Sequence, residues 1–170
     1  MRGEVEHRIV DAAGTRIHLA CLGAGPTVLM VHGFPESWYS WRYQMTALAA
    51  AGYRAVAMDV RGYGRSAKPT AVADYRMVRN VSDVVGVVDA LGEGPVALVG
   101  HDWGAPVAWN TARLHADTVR AVAGMSVPYR PATAGNPMEL WDLLYPDSYF
   151  YMKYFQEVGV AEAAFMEDLP

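Results

Sequence analysis

Asp102 sits at the middle of Gly100-His101-Asp102-Trp103-Gly104. This segment comes directly after the apolar run Val96-Ala97-Leu98-Val99 and directly before Ala105 to Ala112, which reads as a helix starting at once. A small-x-acid-x-small turn squeezed between strand and helix has the spacing of a nucleophile elbow, with an acid where serine often stands. In such a turn the central residue takes a strained backbone conformation that lifts its side chain clear of the sheet. The flanking glycines leave room where strand and helix approach. A carboxylate needs no neighbouring base to act as a nucleophile at neutral pH, and it can displace a leaving group from saturated carbon. The ester so formed must then be cleaved by water, so Asp102 predicts two-step hydrolysis. The competing reading is a strand ended by glycine, with Asp102 capping the next helix.

A second set of candidate residues follows another apolar run. Thr27 to Val31 leads into His32-Gly33-Phe34-Pro35-Glu36-Ser37-Trp38-Tyr39-Ser40-Trp41-Arg42. Gly33 and Pro35 on either side of Phe34 predict a sharp turn. A backbone N–H there has no neighbouring strand to bond and can serve as an oxyanion donor. Phe34, Trp38, Tyr39 and Trp41 suggest an apolar pocket wall, against the plainer alternative of an ordinary strand-to-helix loop whose aromatics pack. Asp59-Val60-Arg61-Gly62-Tyr63-Gly64-Arg65-Ser66 is glycine-rich, but it lacks the Lys-Ser/Thr ending of a P-loop and the third glycine of a dinucleotide loop. His7 and His18 read as surface or packing residues, not ligands.

These residues need a scaffold that brings them to one place. Val5 to Val10 and Thr15 to Leu22 predict two strands joined through Ala13-Gly14, an antiparallel opening hairpin. Thr27–Val31, Arg54–Met58, the run ending at Gly100, and Ala121–Val127 predict further strands. Helices are expected over about Ser40–Ala50, over the stretch marked by Val78, Val81, Val84, Val85, Val88 and Leu91, and after Gly104. Strands alternating with helices predict an α/β fold with a mainly parallel sheet and right-handed crossovers. Ligands in such sheets sit at the carboxyl ends of the strands, where both the His32 loop and Asp102 emerge. Beyond Pro128 the texture changes: Pro131, Gly135, Pro137 and Pro146 punctuate the chain, and from Trp141 aromatics crowd. This predicts the start of a separate helical layer.

The bulk properties fit one globular domain. The chain has 170 residues, of which 52% are hydrophobic and 19% charged. A formal charge of −4 gives no reason to expect nucleic acid or an anionic membrane as partner. Cys21 alone excludes an internal disulfide. Met1 to His7 carries no apolar signal region, and no run approaches a membrane span, so a cytoplasmic setting is expected.

The His32–Trp41 segment, the Asp59–Ser66 loop, the Gly100–Gly104 elbow and Tyr149-Phe150-Tyr151-Met152-Lys153-Tyr154-Phe155-Gln156-Glu157-Val158-Gly159-Val160-Ala161-Glu162 stand in order. Together they closely resemble the soluble epoxide hydrolases of the α/β-hydrolase superfamily, from about residue 5 onward. The resemblance implies an α/β-hydrolase fold, with the N-terminal part of the core over 1–128 and a linker with the start of a helical cap over 129–170. It implies that Asp102 opens the epoxide ring, that the N–H groups of Phe34 and Trp103 form the oxyanion hole, and that Pro35, Trp38 and His101 line the substrate pocket. Tyr151 aligns with a tyrosine that activates the epoxide oxygen. Met152 stands where the family has Gln, which leaves Tyr149 and Tyr154 as rivals. No cofactor or metal is implied; the partners are a small hydrophobic epoxide and water, with room for a homodimer.

The family's general-base His, its partner carboxylate and a second cap tyrosine have no counterpart in this sequence. His32 and His101 lie too near the loop and the elbow to substitute, and His115 falls at the far part of a helix. The chain is therefore expected to be an N-terminal portion, inactive alone, whose elbow strand has one side uncovered. The alternatives are a haloalkane dehalogenase-like hydrolase, disfavoured by Phe34 and by cap Tyr in place of Trp, and a non-catalytic remnant that binds small molecules.

Overall fold

The computed structural model describes residues 3–131, 137–146 and 148–167; Met1, Gly135 and the rest of the expected 129–170 linker and cap that falls at 132–136, 147 and 168–170 lie outside them. Six strands form one sheet: β1 (Glu6–Ala12), β2 (Thr15–Leu22), β3 (Thr27–Val31), β4 (Arg54–Met58), β5 (Val96–His101) and β6 (Val119–Met125). Their order is β1-β2-β4-β3-β5-β6. β1 and β2 pair antiparallel, as do β2 and β4, while β4, β3, β5 and β6 run parallel. The helices of this part are α1 (Arg42–Ala50), α2 (Met77–Leu91) and α3 (Gly104–Leu114). No helix among the described residues is long and apolar enough to cross a membrane.

β3 shows why the short apolar runs had to be parallel strands. Leu29 and Val31 point into one buried cluster with Val84, Val88, Leu98 and Val107, drawn from α2, β5 and α3. Val28 and Met30 point into another, with Trp41 and with Met45 of α1. Helices thus cover both faces, and every residue of β3 is buried. Full burial of one such side chain contributes roughly 1.5–3 kcal/mol. The opening hairpin turns at Ala13 and Gly14, both with positive φ (51° and 84°), the geometry that matches strand twist.

Several boundaries differ from expectation. A short 3₁₀ turn over Trp38–Trp41 precedes α1, because Ser37 accepts a hydrogen bond from the Tyr39 N–H and holds the chain out of the helix. Another 3₁₀ turn, Val72–Tyr75, precedes α2. β6 starts at Val119, earlier than the apolar run suggested, and ends at Met125 before Ser126, whose φ is 68°. Exposed Arg120 disguised that start: its guanidinium reaches sideways to the Pro95 carbonyl. The expectation of an uncovered side on the elbow strand is overturned. β5 is paired along its length by β3 on one side and β6 on the other, so the sheet's edge falls at β6.

The chain divides into two compact units, Met1–Tyr129 and Arg130–Pro170. The second has helices α4 (Pro137–Leu144), α5 (Tyr151–Tyr154) and α6 (Val160–Glu167). Phe150 ties it together, with ring contacts to Trp141 (4.9 Å), Tyr145 (5.6 Å) and Tyr151 (5.6 Å). Lys153 pairs with Asp142.

Candidate active site

Asp102 has a φ of 50°, the left-handed region that a residue with a β-carbon rarely enters. The turn holds it there through the Asp102 N–H on the Met125 carbonyl (3.2 Å) and the Ala105 N–H on the Asp102 carbonyl (3.0 Å). A β-carbon at Gly100 would run into the Gly104 carbonyl, and one at Gly104 would run into the Val31 carbonyl. Both glycines are therefore demanded by close approach. The carboxylate is carried past the end of β5, in front of the N-terminal turn of α3.

The His32 loop comes up beside it. The Phe34 N–H donates to Asp102 Oδ1 at 2.9 Å. Among the described residues Oδ2 has no hydrogen-bond partner. Gly33 is needed because a β-carbon there would strike the Asp102 carboxyl group. The Phe34–Pro35 peptide is cis. Trp103 caps α3 with helical φ and ψ, so its N–H is one of those that a helix start leaves without an intrahelical acceptor. Phe34 and Trp103 are both exposed, as is Pro35.

Buried side chains fix this loop from behind. His32 is held between the Gly33 carbonyl, 2.8 Å from Nδ1, and the Val60 N–H, which donates to Nε2 at 3.0 Å. That pattern assigns the neutral tautomer with the proton on Nδ1, and burial pushes its pKa down. Asp59 is buried; burial alone would raise its pKa, but N–H donors of Trp38 and Arg65, with His18, outweigh this and lower it. Glu36 accepts from the Gly33 N–H at 3.0 Å and faces His101 Nδ1 at 3.2 Å.

Asp102, Phe34, Trp103, Pro35 and His101 thus gather at one place. The Trp38 ring packs against His7 and Tyr39 and on the α1-side core. Tyr151 belongs to the second unit, where its ring meets Phe150 and Phe155 (5.7 Å) and is 39% exposed. Tyr149 lies against Tyr154, whose hydroxyl reaches the Val160 carbonyl at 3.5 Å. A cavity of about 220 Å³, mostly apolar, opens beside the elbow between His32, Tyr75, Met77, Asn80, Trp103 and Val107.

Two residues of this site had no assigned role in the sequence reading. Tyr63 has its pKa raised, first by burial and then by the charge of Asp102, so its phenol stays protonated near the carboxylate. Its ring stands edge-on to His32 at 5.2 Å. It sat in the glycine-rich loop, which had been weighed for phosphate binding and as one motif of the resemblance, with no role for Tyr63 in either. Glu36 was in plain view within the His32 motif, but only the fold shows that it bonds backward to Gly33 and across to His101.

Known proteins resemble this chain in sequence and in fold. Residues 26–159 match the model of the α/β-hydrolase fold family. The chain is 45% identical to Epoxide hydrolase A of Mycobacterium tuberculosis, over 95% of this chain and 51% of that protein. It is 55% identical to Epoxide hydrolase B of the same organism, over 72% of this chain and 36% of that protein. Among solved structures, an epoxide hydrolase from an endophytic Streptomyces superposes with a TM-score of 0.93 at 55% identity, covering 96% of this chain and 50% of that one. The chain spans about half the length, or less, of these relatives.

Proposed function

The chain belongs to the α/β-hydrolase fold family, among relatives that are epoxide hydrolases, and on that footing we propose that it carries the alkylation half of an epoxide hydrolase site. Asp102 Oδ2 attacks a ring carbon of a small hydrophobic epoxide, the carbon–oxygen bond breaks, and the ring oxygen leaves as an alkoxide. Tyr151, the cap tyrosine by resemblance, gives that oxygen a proton. The product is an alkyl ester of Asp102. When water adds to the ester carbon, negative charge develops on Oδ1, and the N–H groups of Phe34 and Trp103 stabilise it. Collapse breaks the bond between Cγ and Oδ2, so the vicinal diol leaves with Oδ2 and the water oxygen completes the restored carboxylate. Of the two water protons one ends on the departing diol oxygen and the other restores the Tyr151 phenol.

The observation that carries this reading is the 2.9 Å bond from the Phe34 N–H to Oδ1. It leaves the other oxygen free to attack and already occupies the one that would become the oxyanion. A haloalkane dehalogenase would need two donors for a departing halide near the nucleophile; the Trp103 indole N–H would be one, but Phe34 offers only a hydrocarbon ring where the second would stand. The test is intact-mass spectrometry after incubation with a styrene-type epoxide. A single covalent adduct on Asp102 is expected, absent from Asp102→Asn. An undiminished adduct in that variant would sink the assignment.

A further inference from the structure

A second concavity, of about 740 Å³, lies between the β1–β2 turn and the loop that follows Asp59, and shares no lining residue with the cavity beside Asp102. The protein's formal charge is −4, yet this wall brings together Arg16, Arg61, Arg65 and Lys68, with Asp74 as the carboxylate among its lining residues. The four cations are not equivalent. Arg61 is buried and its charge is answered by Asp83, which takes Nε at 2.6 Å and Nη2 at 2.5 Å. Its remaining bonds go to the Asp74 carbonyl (2.8 Å) and to Thr15 (3.1 Å). A guanidinium has five N–H groups, so one, on Nη1, has no acceptor among the described residues. Lys68 is steadied by the carbonyls of Gly64 and Ser66.

Arg16 and Arg65 are different. Among the described residues neither has a carboxylate within ion-pair distance. Asp11 stands across from Arg16 in the hairpin register, but its carboxylate takes the Gly14 N–H at 2.7 Å instead. Both arginines lie on backbone that is itself fixed. The Arg16 carbonyl accepts the Ala67 N–H (2.9 Å), and the Arg65 N–H donates to buried Asp59 (2.9 Å).

We infer that this concavity binds a small phosphate-bearing metabolite. Two unpaired guanidiniums, one ammonium and a spare N–H of a buried arginine supply more donors than one carboxylate can accept. They suit the three oxygens of a phosphoryl dianion. The acidic protein as a whole disfavours a nucleic acid, and the space exceeds what a phosphate fills, leaving the wall of Ala67 and Pro69 for an organic portion.

The test is calorimetric titration of the 170-residue protein with ribose 5-phosphate, inorganic phosphate and ribose. Saturable binding of ribose 5-phosphate, tighter than that of inorganic phosphate, is expected, with none for ribose and with weakening as salt rises. Arg16→Gln and Arg65→Gln should each weaken it about ten-fold, the loss of one charge-assisted contact. Asp74→Asn should tighten it about two- to five-fold by removing repulsion, a gain that unfolding cannot mimic. Absence of saturable binding, equal binding of ribose, or indifference to all three substitutions would overturn the site. Equal affinity for inorganic phosphate would overturn the organic portion of the ligand.

Discussion

A left-handed backbone costs a residue with a β-carbon roughly 1–2 kcal/mol, and Asp102 accepts that cost at a φ of 50°. The cost is tolerable because the packing of Gly100 and Gly104 leaves the turn nowhere else to go, and because only this turn lifts the carboxylate to the Phe34 N–H. Strain kept for function can be released by mutation. Asp102→Gly should abolish alkylation while raising the stability of the fold by about 1 kcal/mol, read as a higher urea midpoint at unchanged m. A lower midpoint would mean that the side chain contributes more than its backbone costs. The proton donor is a separate question, because Tyr151 is assigned by resemblance. Tyr151→Phe should slow adduct formation by about ten- to ten-thousand-fold, the range from one lost hydrogen bond to lost general-acid catalysis. A larger loss in Tyr149→Phe or Tyr154→Phe would move the role to that residue.

At the scale of elements, the sheet and its helices were legible because burial on both faces writes itself as unbroken apolar runs, as in Thr27–Val31 and Arg54–Met58. The elbow was legible because two glycines and an acid between a strand and a helix have the spacing of such a turn; the rival reading of Asp102 as a helix cap yields to the structure, in which Trp103 holds the cap position. What the sequence hid were polar residues that became structural. His18 and Asp59, distant in sequence, bond at 2.7 Å inside the core, and Asp83 is buried within α2 against Arg61. No periodicity announces such pairs, since either residue alone reads as a surface position. They have a consequence for acid stability. Burial lowers the pKa of both His18 and His32, whereas the unfolded chain titrates near the ordinary value. Below about pH 6.5 the unfolded state therefore binds more protons than the folded one, and stability falls with acidification. Each histidine contributes a slope of at most about 1.4 kcal/mol per pH unit. Urea midpoints should drop steadily from pH 7.5 to 5.5. His32→Asn should lose part of that slope, and an unchanged slope would show that His32 is not held neutral.

At the scale of the whole molecule, the two halves of the proposed chemistry make different demands. Ring opening needs a carboxylate and a proton donor, and Asp102 and Tyr151 supply these in the proposed reading. Ester cleavage needs a base that deprotonates water beside Asp102. The histidines of this chain are either bonded elsewhere or remote from the elbow: His32 has both nitrogens on backbone groups, and His18 lies between Asp59 and His7. His101 faces Glu36, and His115 caps the far end of α3. A neutral carboxylic ester left to water without a base is long-lived, so the 170 residues alone should stop at the first step. Mixed with a styrene-type epoxide, the protein should gain one adduct and form no diol above the protein-free blank over hours. The adduct should persist through gel filtration at neutral pH and be lost on brief treatment with alkali, which cleaves esters. The diol assay and the mass spectrum are run on the same sample. Sustained diol production that Asp102→Asn abolishes would show that one of these five histidines, or a carboxylate such as Glu36, reaches the ester after all.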